Sequence, residues 1–182
     1  MVPDMTPRLT RTHWLDHGLL TLAVSGANAL KVAPMSAALK VSRGSFYWHF
    51  KDIADFHDAL LAHWRDRTTD QTIQAVEAQD GEGIRLNALM KRAFDANPRL
   101  DRAVRYWAAD SVEVARLVAA VDVERVAYIA RMLVSAGVPD ARAGSRAAFL
   151  YWAYLGQTVL MDSRLAALPI PDIDEISALF KT

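Results

Sequence analysis

The stretch LKVAPMSAALKVSRGSFYWHF, residues 30–50, decides the fold that this sequence adopts. Apolar residues recur at helix-face spacing in its first half, and Phe46 and Phe50 lie four residues apart in its second half. Between the halves stands Ser42, whose side chain suits a helix N-cap. The stretch therefore predicts two short helices joined by a turn of three or four residues, which is a helix-turn-helix.

The segment before this stretch supplies the helix that completes a small domain. Residues 10–25 place Leu15, Leu19 and Leu22 on one face, and Gly26 follows as a helix stop. These leucines can close a core with the apolar faces of the next two helices. A three-helix domain is thus predicted at the N-terminus.

Packing Phe46 and Phe50 inward leaves the rest of the third helix outside. In a helix-turn-helix this helix enters the major groove of DNA by its N-terminus, so Arg43 and Ser45 are expected to reach base edges. Gly44 lets the backbone come close to the DNA. The alternative is that Tyr47 and Trp48 are core residues, but Phe46 and Phe50 already occupy the core-facing side.

The remaining polar tips suit the DNA backbone. Tyr47, His49 and Lys51 are expected to contact phosphates, and Trp48 is expected to lie against a sugar or a thymine methyl group. The predicted DNA-binding residues are Ser42, Arg43, Gly44, Ser45, Tyr47, Trp48, His49 and Lys51.

Charge supports this interpretation of the N-terminal third. Residues 1–51 carry six basic and two acidic residues, a net charge of +4, and residues 52–182 carry −4, although the whole chain of 182 residues is neutral. A basic segment on an acidic body is typical of a protein that meets a polyanion through that segment.

The rest of the chain has helical patterns and no alternating strand pattern. The sequence predicts an all-α fold, with a helix-turn-helix DNA-binding domain at 1–51 and a helical ligand-binding and dimerisation domain at 52–182. Turns are predicted at the Gly-rich segment 78–83 and at 135–140. Helices are predicted at about 52–77, 84–95, 98–108, 111–136, 139–165 and 172–181.

Residues 10–62 resemble the DNA-binding domain of TetR-family transcriptional regulators. The resemblance rests on the spacing of Leu30, Val32 and Met35, followed by Val41-Ser42-x-Gly44-Ser45-x-Tyr47-x-His49-Phe50 and Lys51-Asp52. It implies a dimeric, cytoplasmic regulator, most often a repressor, that a small molecule in the C-terminal domain releases from an operator.

Three positions depart from the family's pattern. Lys31 stands where the family usually has a Thr that caps the second helix, and Ile53 replaces a basic residue. Lys40 stands where the family usually has Gly in the turn, so a left-handed or strained backbone is expected there.

Aromatic and methionine side chains are concentrated in the second domain. They can line an apolar cavity, which predicts an apolar or aromatic effector, or they can form ordinary core. Gln157 is a lone polar group in an apolar helix and needs a hydrogen-bond partner. The predicted ligand-binding residues are Met90, Phe94, Tyr106, Trp107, Tyr128, Phe149, Trp152 and Gln157.

The helices near 111–136 and 139–165 are predicted to form a four-helix bundle with a second copy of the chain. The helix at 147–161 is apolar on all sides, so every side must be covered. A face rich in small residues (Ala143, Gly144, Ala147) is expected to meet the partner.

Other classes of function lack supporting residues. The chain has no cysteine, which excludes disulfides, thiolate nucleophiles and zinc ribbons. His13 and His17 have a spacing that can hold zinc, but no third ligand is near in sequence. No enzyme activity, cofactor, metal or membrane span is expected, and no signal peptide is recognised. The alternatives to a repressor are an activator of the same fold and a helical binding or scaffold protein that has lost operator binding.

Overall fold

The computed structural model describes residues 9–79, 81–95, 98–160 and 169–180, and these contain helices and no strand. The predicted all-α fold is confirmed. The chain forms two compact units, Met1–Trp64 and Arg65–Thr182. The helix after the helix-turn-helix thus packs with the first unit, whereas the predicted division placed it in the second domain.

The first unit begins with three helices at the predicted places. Thr10 caps α1 by accepting a hydrogen bond from the backbone N–H of His13, whose ring accepts from the backbone N–H of Thr10. This reciprocal capping fixes the start of the helix. The helices are α1 (Arg11–Ser25), α2 (Val32–Ala38), α3 (Arg43–Tyr47) and, after the motif, α4 (Ile53–Arg65).

Aromatic rings form the centre of this unit. Phe46 is completely buried, and its ring centroid lies 5.4 Å from that of Trp14, 5.1 Å from that of Phe50 and 5.5 Å from that of Phe56. Edge-on and tilted ring pairs of this kind add stability beyond the apolar area that they bury. The predicted inward face of the third helix is therefore confirmed.

The helices α1 and α4 approach each other closely at Gly18. A Cβ atom at this position would lie 2.7 Å from the ring of Phe56 and 2.8 Å from Leu60, so only glycine fits without movement. Beside this contact, the ring N–H of His63 donates to Asp16 over 2.8 Å. This contact ties Asp16 of α1 to α4.

The turn of the helix-turn-helix contains the expected strained residue. Lys40 has φ = 56°, the only positive value at a non-glycine residue among those that the structure describes. An L-residue in this left-handed region carries a steric cost that glycine does not. The departure at Lys31, where the family usually has a capping Thr, is also visible. Lys31 precedes α2 and makes no capping hydrogen bond with its side chain.

Replacing Lys40 with glycine is expected to stabilise the first unit by about 0.5–1 kcal/mol, because it removes the left-handed strain. The matched control is Lys31→Gly, since Lys31 is also exposed but has an extended backbone at φ = −125°. That control is expected to give no gain. Urea denaturation of both variants measures the difference, and equal stabilities would show that Lys40 is not strained.

The second unit begins with a π-helix. The chain stays helical from Ile53 to Glu77, as predicted, but residues Asp66–Asp70 form a π-helical turn inside it. Such turns are rare and frequently lie at functional sites. The helices that follow are α5 (Gln71–Glu77), α6 (Glu82–Asp95), α7 (Arg99–Asp110), α8 (Val112–Ser135), α9 (Asp140–Val159) and α10 (Ile170–Leu179).

The ends of these helices agree with the predicted signals to within a few residues. Ser111 caps α8 by accepting from the backbone N–H of Val114. After α8, Gly137 has φ = 95°, and the N–H of Val138 donates to the carbonyl of Leu133, which closes the helix end. The helix predicted to reach residue 165 ends at Val159 in the structure. Residues 161–165 of the prediction lie outside the described residues.

The orientation of α9 differs from the prediction. Ala143 and Ala147 are buried in the core of the chain itself, together with Leu133 and Leu150. Of the three small residues predicted to meet a partner, Ala143 and Ala147 therefore pack inward, whereas Gly144 is exposed. Small side chains let α8 and α9 come close within one chain, and a helix that is apolar on all sides gives no signal of which face does so.

Candidate DNA-binding surface and ligand cavity

The predicted DNA-binding residues form one exposed strip on the first unit. With Phe46 and Phe50 buried, Tyr47 and Trp48 are 58% and 79% exposed. The alternative in which these two rings belong to the core is thus wrong. Ser42, Arg43, Gly44 and Lys51 are exposed as well, and Ser45 and His49 are half-buried.

Gly44 is not required by packing within the chain. A Cβ atom at this position would have Ser42 Oγ as its nearest neighbour at 3.5 Å, which is an ordinary contact. Ser42 occupies the predicted N-cap position of α3, but its side chain makes no capping hydrogen bond. Both positions are therefore open to an approaching molecule.

His49 has a partner inside the unit. Its Nε2 lies 2.8 Å from the carbonyl oxygen of Leu9, just before α1. With Nε2 engaged in this way, only Nδ1 of the ring remains for a contact outside the unit. This contact joins the third helix to the start of α1, which the sequence did not indicate.

Arg11 is a basic residue at this surface that the sequence analysis did not select. Its guanidinium lies 5.0 Å from the centre of the Phe50 ring, a cation–π distance. The contact brings the first residue of α1 beside the end of the motif. Only the three-dimensional fold reveals it, because Arg11 and Phe50 are 39 positions apart in the sequence.

A cavity of about 260 Å³ lies inside the second unit. Its walls are mostly apolar and come from the π-helix, α5, α6, α7, α8 and α9. The lining residues are Arg67, Thr68, Thr69, Thr72, Ile73, Leu86, Leu89, Met90, Arg92, Ala93, Phe94, Leu100, Asp101, Arg125, Tyr128, Ile129, Leu150, Tyr151 and Tyr154.

Three of the eight predicted ligand-binding residues line this cavity: Met90, Phe94 and Tyr128. The other five do not. Tyr106, Phe149 and Trp152 are exposed on outer helix faces, and Trp107 is half-buried away from the lining. Gln157 is buried and donates to the carbonyl of Ala93 over 2.9 Å, so its expected hydrogen-bond partner is a protein group.

A buried ion pair crosses the wall of the cavity. Arg125 is 9% exposed and donates from Nη1 to Asp101 over 2.9 Å. Its Nε donates to the hydroxyl of Thr69 over 2.9 Å, and its Nη2 donates to that of Thr68 over 2.8 Å. Tyr154 donates its hydroxyl hydrogen to Asp101. One guanidinium thus joins α8 to α7 and to the π-helix.

A second pair lies next to the first. Arg105 donates to both oxygens of Asp122, over 3.1 and 2.7 Å, and the hydroxyl of Tyr151 donates to the same carboxylate over 2.6 Å. Burial raises the pKa of Tyr151 to about 12. The tyrosine is therefore a neutral hydrogen-bond donor at neutral pH.

The protonation states around Arg125 are equally well defined. Burial lowers the pKa of Arg125, but Asp101, Tyr154 and Tyr151 together outweigh burial and raise it. Burial and the neighbouring Asp101 both raise the pKa of Tyr154. Arg125 is thus a permanent cation, and Tyr154 donates to its counter-ion.

The sequence carried one unused signal for this network. Val114, Val118, Val121, Tyr128 and Met132 form the buried stripe of α8, and Arg125 falls on the same stripe. A charged residue on a buried stripe requires a partner, and it marks a candidate site. The positions of Asp101, Thr68 and Thr69 depend on tertiary contacts that no local pattern indicates.

The fold is similar to that of solved transcriptional regulators. It matches E. coli NemR in its reduced form with a TM-score of 0.77 and 15% sequence identity, over 93% of this chain and 96% of that one. A protein described as a TetR/AcrR-family transcriptional regulator matches with a TM-score of 0.75 and 20% identity, over 94% and 98% of the two chains. A protein described as a TetR-family regulator from Rhodococcus sp. matches with a TM-score of 0.67 and 17% identity, over 94% of this chain and 96% of that one.

These similarities confirm that the fold is that of TetR-type regulators. No family model matches the sequence, and no curated protein matches it. Among the described residues, no helix combines the length and the apolar character that crossing a bilayer requires.

Proposed function

We propose that this chain is a cytoplasmic, homodimeric DNA-binding transcriptional regulator of the TetR type, which represses from a near-palindromic operator and leaves it when a small molecule fills the cavity. The observation that carries this proposal is the exposed strip on α3. The rings of Tyr47 and Trp48 project outward beside a fully buried Phe46, although a small soluble domain gains nothing from exposing them. A DNA groove is the partner that suits them.

In this proposal each part of the strip has a role. Arg43 stands at the exposed N-terminal end of α3 and reads a base edge, most readily the O6 and N7 atoms of a guanine. Gly44 lets the backbone come close to the DNA. Packing within the protein leaves space for a Cβ atom at this position, so the DNA is the reason proposed for a glycine there. Tyr47, Lys51 and Arg11 contact phosphates. His49 orients the start of α1 through Leu9.

The dimer is proposed to form through α8 and α9, which pack against each other within the chain. Val112, Val123 and Val134 recur every eleven residues on the outside of α8, and Trp152 and Val159 lie seven residues apart on the outside of α9. Spacings of seven and eleven residues place side chains on one helix face. Exposed apolar stripes on two adjacent helices are suited to a second copy of the same two helices.

Replacing Trp152 with glutamate is expected to convert the dimer to a monomer, because Trp152 is 65% exposed in the single chain and a charge would be buried at the interface. The matched control is Ile84→Glu, an exposed apolar residue of α6. Sedimentation velocity measures the mass of both variants. A Trp152→Glu protein that stays dimeric, or a wild-type monomer, would refute this interface.

Ligand control is proposed to act through the helical chain from Ile53 to Glu77. The π-helical turn of this segment lines the cavity. The turn directly follows α4, which belongs to the DNA-binding unit up to Trp64. A ligand that alters the conformation of this turn also alters the relative positions of the two α3 helices of the dimer. Both α3 helices must fit the same face of the DNA. A coupling of about 1–3 kcal/mol is enough for a 5–150-fold change in affinity.

A gel-shift assay with the DNA upstream of the protein's own gene tests the function. We expect a discrete, sequence-specific complex, and transcription from that DNA in vitro is expected to fall when the protein is added. A rise in transcription would show an activator instead. No complex with this DNA, or with DNA selected from a random library, would leave a helical binding or scaffold protein that does not bind an operator.

A further inference from the structure

Arg125 donates from two parallel N–H groups to two threonine residues of the cavity wall. Nε and Nη2 lie on the same edge of the guanidinium, and they donate to two separate hydroxyl groups, on Thr69 and Thr68. The opposite side of the guanidinium donates from Nη1 to Asp101. Arg125, both threonines and Asp101 all line the cavity. The two-donor edge and the two hydroxyls that it meets therefore belong to residues of the cavity wall.

A carboxylate is the group that fits such an edge best. Its two oxygens accept two parallel N–H donors at once, and this charge-assisted, bidentate bond is roughly twice as strong as bonds to neutral acceptors. The two threonine hydroxyls, by contrast, are neutral acceptors, and each accepts from only one of the two N–H groups. Each hydroxyl can also rotate to a backbone carbonyl of its own helix, which keeps it satisfied if it loses Arg125.

The charges and walls of the cavity favour the same class of ligand. Arg67, Arg92 and Arg125 line it, against a single acidic residue, Asp101. The rest of the wall is largely apolar and aromatic, including Leu86, Met90 and Phe94. At about 20–30 Å³ for each non-hydrogen atom, the volume holds roughly nine to thirteen atoms.

We propose that the cavity binds a small carboxylate with an aliphatic or aromatic body, and that its carboxylate takes the Nε–Nη2 edge of Arg125 from Thr68 and Thr69. The identity of the ligand class rests on the proposed function, because a regulator needs an effector in this cavity. The Asp101 contact stays in place throughout. The exchange removes two hydrogen bonds between the π-helical turn and α8.

The π-helical turn then becomes the element that responds. It contains both threonines, and its hydrogen-bond register differs from that of the α-helices on either side. Release by Arg125 lets this turn change register toward an α-helical one. Since a π turn holds more residues than an α turn, such a change rotates the residues before it relative to those after it. The ligand is thereby read at the helix that leads toward the DNA-binding unit.

The test compares ligands that differ only in their polar group. Isothermal titration of the full chain is carried out with para-ethylbenzoate, para-ethylbenzamide and para-ethylbenzylamine, and with octanoate, octanamide and octylamine. We expect the carboxylate of at least one series to bind tenfold more tightly than its neutral amide, and the amine to bind more weakly still. An amide or amine that binds as tightly as the carboxylate overturns the proposal, as does the failure of both carboxylates to bind.

Three variants locate the carboxylate. Thr69→Val and Thr68→Val are expected to tighten carboxylate binding about threefold, because the ligand no longer displaces a hydroxyl, and to leave amide binding unchanged. Thr72→Val is the matched control, since Thr72 lines the same cavity without a hydrogen bond to Arg125. If all three variants bind the carboxylate like the wild type, Arg125 is not its partner.

Arg125→Lys keeps the charge but lacks the two-donor edge, so its affinity for the carboxylate is expected to fall to that of the amide. Hydrogen exchange of residues 66–77, measured with and without octanoate and para-ethylbenzoate, reports the π-helical turn directly. Faster exchange with the bound carboxylate is expected, and unchanged exchange overturns the release step. DNA binding by the ligand-free protein is measured separately. A protein that binds DNA but does not distinguish carboxylate from amide contradicts this inference alone.

Discussion

Replacing Asp101 with alanine is expected to destabilise the second unit by about 3–5 kcal/mol, because it leaves a buried cation without its counter-ion. Arg125 is 9% exposed, and it donates to the carboxylate of Asp101 over 2.9 Å. The substitution also removes the acceptor of the Tyr154 hydroxyl. Loss of one partner of a buried pair costs far more than loss of a surface pair.

The matched control is Asp110→Ala, at the exposed end of the same helix. It is expected to change stability by less than about 0.5 kcal/mol. Urea denaturation, followed by circular dichroism, measures the free energy of unfolding of both variants and the wild type. If Asp101→Ala unfolds at the same urea concentration as Asp110→Ala, the ion pair does not stabilise the unit, and the role given to Arg125 in the cavity loses its basis.

Replacing Arg43 with alanine is expected to weaken DNA binding by the dimer by about 30-fold to 10⁴-fold. A bidentate contact to a base contributes about 1–3 kcal/mol of discrimination, and a two-fold dimer makes it twice. Arg43 is exposed at the start of α3 and forms no hydrogen bond or ion pair with other described residues. Its removal therefore costs binding rather than folding.

Arg43→Lys separates base reading from charge. It keeps the positive charge, so we expect salt-dependent, non-specific affinity to recover, while the preference at one position in each half-site stays lost. Fluorescence anisotropy with labelled duplexes measures both variants. An Arg43→Ala protein that keeps the affinity and the sequence preference of the wild type would show that α3 does not read bases.

The first unit could be predicted almost fully from the sequence because its signals are local. Phe46 and Phe50 are spaced for one helix face, so their burial and the exposure of Tyr47 and Trp48 followed directly. The positive φ of Lys40 followed from the resemblance, because TetR-family proteins usually have Gly at this position. His49 could not be assigned in this way, because its partner, Leu9, is 40 residues away.

The second unit could be predicted as helices but not as a site. Ala147 and Trp152 lie on the same apolar helix, and the sequence expected Ala147 outside and Trp152 at the cavity, whereas the structure buries Ala147 and exposes Trp152. When apolar residues stand on every side of a helix, the sequence pattern does not indicate which side is buried. The cavity itself depends on how six helical elements pack. The sequence predicted three of its lining residues, Met90, Phe94 and Tyr128, and the position of Arg125 on a buried stripe could have indicated a fourth.

Selection from a random double-stranded DNA library by the full chain shows whether this protein binds a specific operator. Bound sequences are amplified over several rounds and read, with no prior assumption about the operator. We expect enrichment of a near-palindrome whose half-sites lie about one helical turn apart, or a multiple of it, as a two-fold dimer with two α3 helices requires. We also expect the Arg43→Ala protein to lose one position in each half-site. A library without any enriched sequence after selection would contradict the proposal that this chain is a DNA-binding regulator.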